Sequence, residues 1–232
     1  MSKRLLEALG VCGTAAGVVF LAILVSGPRV KADDDDQGDQ AKIRIGFQIA
    51  PVPLNLKHKD PELVGYGSYI VNAQADCNGC HTADPTQEFT ATGNPYLLKP
   101  IFSGKKKVNP AAYLAGGSDF GNFGAGSYEF LSRNLTPDKT GLPEGGHTLE
   151  EFIQIMRTGV DFDHAHPTCA PGAPVNLGCV PFPFNGNLLQ IMPWPTFQSM
   201  TDYDLRAIYE YLSAIPCIEG PPAPNILHND CK

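Results

Sequence analysis

The sequence lacks any stripe of basic residues that could follow a nucleic-acid backbone. It holds 24 Asp and Glu against 17 Lys and Arg, and its formal net charge is −7 at pH 7. Because nucleic-acid phosphates are bound chiefly through Lys and Arg, this composition argues against nucleic acid as a partner. An acidic surface instead suits docking to a basic face of another protein, where it accelerates encounter, or it serves solubility alone.

A second cysteine pair close to Cys77 and Cys80 is also missing, since the next cysteine is Cys169. A structural zinc site usually needs such a second pair. A thioredoxin-like redox pair expects a βαβ setting, and the sequence shows no such pattern. A disulfide between the two cysteines would leave His81 without a role. These three interpretations are therefore disfavoured.

What the pair does have is a histidine directly after it. Cys77-Asn78-Gly79-Cys80-His81 has the spacing typical of c-type haem attachment. Residues three apart project from one side of a helical turn, so both thiols can reach the same porphyrin edge and form thioethers. His81 then becomes the proximal iron ligand. The motif occurs once, which predicts a single, covalently bound haem c.

Met192 is predicted to fill the remaining axial position on the iron. It precedes Pro193 and Pro195, which fix an extended backbone and present one side chain inward. A thioether is a soft donor, and His/Met ligation raises the reduction potential. The alternative ligands are the histidines that follow the haem motif, which would lower the potential: His147, His164 and His166.

A long apolar run at the N-terminus predicts export. Residues 2–4 are polar or basic, residues 11–25 are apolar, and residues 30–32 have the small-residue pattern of a cleavage site. Residues 1–32 are therefore interpreted as a signal peptide or, because residues 5–25 are long enough to span a bilayer, as an N-terminal membrane anchor. Both interpretations predict a periplasmic or exported protein, and the second attaches it to the inner membrane.

Four cysteines remain once the haem pair and Cys12, inside the apolar run, are set aside. An even number in an exported protein predicts two disulfides. We expect local pairing, because it closes the shortest loops within segments rich in Pro and Gly, although two other pairings stay open. The expected disulfides are Cys169–Cys179 and Cys217–Cys231.

Helical patterns occur at both ends of the main part of the chain. Pro61 opens a helix that carries Gly67 and leads into the haem motif, and Thr201-Asp202 caps a last helix. A third helix is predicted between a capping box at Thr148 and a stop at Gly159. The 24 Gly and 21 Pro predict long loops elsewhere. The expected fold class is all-α with long loop insertions.

These motifs together resemble class I c-type cytochromes, and more closely the cytochrome c domains of bacterial membrane-bound alcohol and aldehyde dehydrogenases. The matching segments run from about residue 62 to residue 215, and the haem motif is the most specific of them. Those dehydrogenase subunits usually carry three haem units, whereas this chain has one. The segments are Gly67–Val71, Cys77–Thr82, Leu114–Gly117, Asn134–Asp138, Leu149–Gly159, Met192–Pro195 and Thr201–Leu212.

The resemblance implies a class I cytochrome c fold, in which helices pack around one covalent haem. It implies His81 and Met192 as the axial ligands. In such cytochromes the first and last helices cross near the haem edge, and a glycine of the first receives an aromatic residue of the last. Gly67 against Tyr209 or Tyr211 fits that arrangement.

The resemblance also implies that Arg133 or Asn134 donates hydrogen bonds to the haem propionates. On this interpretation the cytochrome c domain comprises residues 61–216. Residues 33–60 are expected to form a disordered acidic tail and an extended strap. Residues 217–232 are expected to form a C-terminal extension that a disulfide ties back.

The combined expectation is an electron carrier rather than an enzyme, since the sequence holds no convincing arrangement of nucleophile and general base. It would pass single electrons between a donor and an acceptor protein. Two alternatives stay open. One is a haem enzyme or a gas or redox sensor with an open or weakly ligated sixth site. The other is a cytochrome subunit docked permanently to a dehydrogenase, with residues 83–146 as the interface.

Overall fold

The computed structural model describes residues 33–83, 86–98, 105–121, 130–163, 167–172 and 179–232. The chain divides into two compact units, residues 1–38 and residues 39–232, and the hydrophobic core lies in the second. The predicted export segment lies outside the described residues. Within the part of the chain that the structure describes, no helix combines the length and the apolar character of a membrane span.

Helices are the regular elements of the described residues, and strand pairing there is limited to isolated bridges. The helices differ in length from one turn to four or five. They are α1 (Asp33–Ile49), α2 (Pro61–Tyr69), a π-helical turn (Ile70–Gln74), α3 (Cys77–Cys80), α4 (Leu149–Thr158), α5 (Trp194–Phe197) and α6 (Asp202–Leu212).

Helices α4 and α6 begin with reciprocal side-chain caps. The Thr148 hydroxyl accepts from the backbone N–H of Glu151, whose carboxylate accepts from the backbone N–H of Thr148 at 2.8 Å. Thr201 and Asp204 repeat this arrangement at the start of α6. Gly159 ends α4 with a φ of 70°, which is a backbone conformation that glycine adopts without strain. The capping box and the glycine stop predicted for α4 are confirmed.

Helices α2 and α6 cross at Gly67 and form the centre of the core. A Cβ atom on Gly67 would lie 1.9 Å from the carbonyl oxygen of Ala207 and 2.9 Å from Cβ of Tyr211. No residue larger than glycine fits there without moving one helix. The expected packing of this glycine against the last helix is confirmed, with Tyr211 as the aromatic neighbour.

The acidic tail and strap expected at residues 33–60 differ from the structure in their first half. Residues 33–49 form α1, so the prediction of disorder and extended chain there is wrong. A Cβ on Gly46 would lie 1.8 Å from the carbonyl oxygen of Gly65, and the Ser68 hydroxyl donates to the carbonyl of Gly46 at 2.7 Å. This close packing against α2 stabilises a helix that charge repulsion and propensity alone would disfavour.

Both expected disulfides are confirmed. Cys169 and Cys179 are joined with Cα atoms 5.2 Å apart, and Cys217 and Cys231 with Cα atoms 5.7 Å apart. The bonded cysteines are 10 and 14 residues apart in sequence, so each bond closes a short loop and restrains the unfolded chain.

Candidate functional site

A largely apolar cavity opens beside α3. Its volume, measured as the space open to the centre of a water molecule, is about 170 Å³. On the same measure a single buried water needs roughly 10–15 Å³. Four residues predicted to bind the cofactor or its metal line it together: Cys77, Cys80, His81 and Met192. Its apolar wall includes Phe152, Ile155, Ile208 and Leu212, from α4 and α6. The cavity is thus far too large for a packing defect, and its size and lining suit a bound organic group.

The haem motif forms one helical turn, as its spacing predicts. Cys77 and Cys80 are the first and last residues of α3, and the backbone N–H of His81 donates to the carbonyl of Cys77 at 2.8 Å. Neither cysteine forms a disulfide. Burial, with a smaller contribution from the Asp76 carboxylate, raises the pKa of Cys77 to about 12 and also raises the pKa of Cys80. Two neutral thiols therefore face the same cavity, available for thioether bonds.

His81 is buried, and its Nδ1 lies 2.8 Å from the backbone carbonyl oxygen of Arg133. A carbonyl only accepts, so Nδ1 carries the proton and Nε2 keeps its lone pair. Burial lowers the pKa of His81, which favours the neutral imidazole that a metal requires. Metal-binding histidines commonly donate their second ring N–H to a carbonyl in this way, and the contact fixes the ring orientation.

The Arg133 side chain also lines the cavity, as its predicted role requires. Its guanidinium is already engaged by two carboxylates, with Asp161 at 2.6 Å and Asp163 at 3.6 Å. Glu144 lines the same cavity, and burial raises the pKa of its carboxyl group. An anionic group that entered the cavity would therefore share Arg133 with carboxylates of the protein.

Asn134, the other predicted propionate donor, is not among the residues that line the cavity. Its side-chain amide donates to the carbonyls of Ile218 at 2.8 Å and Leu227 at 3.3 Å, and its Oδ1 accepts from the backbone N–H of Thr136. The structure therefore gives Asn134 a different task, which is to tie down the C-terminal extension. That extension contributes Ile226 to the cavity wall.

Met192 lines the cavity and packs, partly buried, against the hydrophobic core. It lies directly before α5, which begins after Pro193, and its carbonyl accepts from the backbone N–H of Trp194 at 2.8 Å. A thioether is thus available in the same cavity as the imidazole of His81, although the two residues are far apart in sequence.

The alternative histidine ligands are placed less favourably or fall outside the described residues. His147 is not among the residues that line the Met192 cavity, and it lines a smaller neighbouring one. Its Nε2 lies 3.0 Å from the Asp163 carboxylate. His164 and His166 lie outside the described residues. The structure therefore brings Met192, and not His147, to the cavity that holds His81.

The chain is similar to cytochrome subunits of two dehydrogenases. It is 27% identical over 150 residues to the fructose dehydrogenase cytochrome subunit of Gluconobacter japonicus, an alignment that covers 64% of this chain and 20% of that protein. It is 26% identical over 176 residues to the cytochrome c subunit of alcohol dehydrogenase (quinone) of Gluconobacter oxydans (strain 621H). That alignment covers 73% of this chain and 26% of that protein. The similarity indicates a cytochrome c domain, although the chain spans only about a fifth to a quarter of each relative. No family model and no solved structure matches it.

One hydrogen bond that holds the haem motif in place was not predicted from the sequence, although it is made by a residue between the two cysteines. Asn78 is buried, and its Oδ1 accepts from the backbone N–H of Leu114 at 2.9 Å. This bond ties α3 to the loop that also carries Gly116, whose backbone N–H donates to the carbonyl of His81. The residues between the two cysteines are unconstrained by the attachment chemistry, so the sequence offers no signal for this contact.

Proposed function

We propose that the chain is a monohaem class I c-type cytochrome, exported to the periplasm, that carries single electrons between redox partner proteins. The observation that carries this proposal is the apolar cavity that gathers Cys77, Cys80, His81 and Met192. The two cysteines would hold the haem as thioethers, with His81 and Met192 as axial ligands. The bound group would supply one-electron chemistry between ferric and ferrous iron.

The chain's own residues orient and insulate that group. The Arg133 carbonyl keeps the His81 proton on Nδ1 and leaves Nε2 for the metal. The apolar walls from α4 and α6 limit water at the site, and such a low-dielectric shell would favour the reduced, less charged form of a bound haem. The Arg133 guanidinium offsets part of the negative charge of Asp161, which lines the cavity, and of the nearby Asp163.

A second form of the same function is a cytochrome subunit that stays docked to a dehydrogenase. It is favoured by the relatives, which are named as cytochrome subunits of fructose and alcohol dehydrogenases. Its electron chemistry is that of a carrier, and only its partner is permanent. Affinity purification of the tagged chain from its own cells, followed by mass spectrometry, separates the two forms. A stoichiometric dehydrogenase indicates the subunit, and a chain that purifies alone indicates the carrier.

The test of iron ligation is the optical spectrum of the holoprotein, oxidised and then reduced under carbon monoxide. We expect the wild type to show the long-wavelength absorption band of methionine-ligated ferric haem and to ignore the gas. Met192→Ala should lose the band and bind carbon monoxide. Met200→Ala is the matched control, because Met200 also packs against the core but is not among the cavity-lining residues.

Two results would contradict this ligation. If the wild type binds carbon monoxide readily, the sixth site is open, and the chain is better explained as a haem enzyme or a sensor. If Met192→Ala leaves a six-coordinate low-spin spectrum unchanged, a histidine holds the iron.

A further inference from the structure

The segment that carries Met192 rests on the C-terminal end of α4. The Trp194 ring lies directly over Gly159, where a Cβ atom would come within 2.2 Å of it. The Trp194 indole N–H donates to the carbonyl of Leu189 at 3.0 Å, and the backbone N–H of Leu189 donates to the carbonyl of Gly159 at 2.7 Å. Residues on both sides of Met192 are thus fastened to one point, the residue that ends α4.

Arg157, two residues earlier, fastens the far end of the same segment. Its guanidinium donates to the carbonyls of Gln198 and Met200, which follow α5, and to the Asp202 carboxylate at 2.7 Å at the start of α6. Carbonyls at a helix end have no partner within the helix. One arginine of α4 therefore satisfies the carbonyl of Gln198 at the end of α5 and joins α4 to the first residue of α6.

Gly159 is required here for two independent reasons. Its φ of +70° is unfavourable for other residues, and the space above its Cα is filled by Trp194. Only the first reason applies to Gly141, which has a φ of +82° and no atom within 4 Å of a Cβ position. The comparison of these two glycines separates backbone strain from displacement of the tryptophan.

We infer that Arg157 and Gly159, with Trp194, form a clamp that positions Met192 in the cavity. The inference rests on the proposed function, in which Met192 is an axial ligand. These are positioning residues, because they act on Met192 through the chain that carries it and are not themselves ligands. A ligand on a short segment between two fixed points has few alternative positions, so loosening either point should let its sulfur leave the iron.

The first experiment compares Gly159→Ala with Gly141→Ala in the holoprotein. We expect Gly159→Ala to lose the long-wavelength methionine band and to bind carbon monoxide, since the new Cβ displaces Trp194 and the segment before it. Gly141→Ala should keep the wild-type band and its insensitivity to the gas, at a similar cost in backbone strain. Thermal unfolding of both variants records that strain separately from ligation.

Trp194→Phe provides a second variant, because it removes the indole N–H and replaces the fused rings, whose atoms a Cβ on residue 159 would meet, with a smaller phenyl ring. Alone it should weaken the methionine band and bind carbon monoxide, which the wild type is expected to ignore. Combined with Gly159→Ala it should restore part of the band that Gly159→Ala loses, because the clash is relieved. Such recovery in a double mutant is expected only of residues in direct contact.

Arg157→Gln tests the other end of the clamp against Arg206→Gln, which removes an exposed arginine from α6. We expect a weakened band and faster carbon monoxide binding in the first variant only. The clamp is overturned if the wild type shows the methionine band and Gly159→Ala, Trp194→Phe and Arg157→Gln all keep it. A wild type without the band instead overturns the proposed ligation, so the two failures are distinguishable.

Discussion

The two faces of the cavity are held in different ways. On one side, α3 presents Cys77 and Cys80 and leads directly into His81, which is buried with its ring against the carbonyl of Arg133. On the other, Met192 is only partly buried and depends on α4, far away in sequence. The spacing of the two cysteines is therefore set by local chain geometry, and one tertiary bond orients the buried His81 ring, whereas the partly buried Met192 is placed by tertiary contacts of its segment. Remote substitutions should consequently disturb Met192 more readily than His81.

The largest effect should distinguish the two proposed ligands, His81 and Met192. We expect His81→Ala to accumulate with little attached haem, because it removes the proposed proximal ligand next to the two cysteines and the ring that contacts the Arg133 carbonyl. Met192→Ala should attach haem at nearly the wild-type level. The ratio of haem absorbance to protein in purified material measures this difference, and equal loss in both variants would contradict the contrast between the two sides.

Removing either disulfide should lower stability by a similar amount, but the two removals should differ in their effect on the absorbance spectrum. Removing either with paired Cys→Ser substitutions should lower the free energy of unfolding by about 3 kcal/mol, since each closes a short loop. Only loss of Cys169–Cys179 should weaken the methionine band, because its loop precedes the Met192 segment. The Cys217–Cys231 loop instead supports Asn134. Urea unfolding and absorbance spectra of both variants test this, and identical spectra would count against it.

Gly67→Ala should destabilise the helix crossing behind the His81 side. The added methyl group would meet the Ala207 carbonyl at 1.9 Å, and overpacking of this kind costs about 1–3 kcal/mol. Gly38→Ala is the control, because it lies in α1 with no atom within 4 Å of a Cβ position, and there alanine should be neutral or stabilising by up to about 1 kcal/mol. Urea unfolding measures both, and equal stabilities would argue against a tight crossing.

The smallest effect concerns pH and the contact between α6 and His147, the residue before the cap of α4. The Tyr209 hydroxyl donates to the carbonyl of His147 at 3.0 Å, and burial raises the pKa of Tyr209 from 10.0 to about 12. A raised pKa contributes stability that is fully present below pH 10 and is lost as the pH rises through 12. Tyr209→Phe should therefore cost about 1 kcal/mol at pH 7, with the difference from wild type shrinking above pH 10. Urea unfolding at pH 8 and pH 11 checks this, and a constant difference would contradict it.

How much could be predicted from the sequence follows the same division. The turn of α3, the start and end of α4 and the two disulfides were predictable, because each depends on residues close together in the chain. Met192 could be proposed as a ligand from its flanking prolines. The Gly159–Trp194 contact could not, since nothing local indicates which segments meet.

Two features of the structure depend on distant partners that the sequence does not indicate. Arg133 or Asn134 was expected to donate to the propionates, and the amide of Asn134 donates to carbonyls of the C-terminal extension, which is distant in sequence. The segment at residues 33–49 was interpreted from its own acidic composition, whereas contact between Gly46 and α2 accounts for the helix. In both cases a partner from another part of the chain decided the outcome.

The contact between His81 and the carbonyl of Arg133 has a consequence for which substitutions evolution tolerates. A bond made by a main-chain oxygen is encoded by the path of the chain and not by the identity of the residue that contributes it. Substitutions at position 133 can remove the guanidinium and still leave the imidazole oriented. Selection for that orientation should instead fall on the neighbours that anchor the path, such as Asn134 and Thr136, whose side chains bind the C-terminal extension. The residues conserved to keep a histidine oriented can thus be ones that make no contact with the histidine.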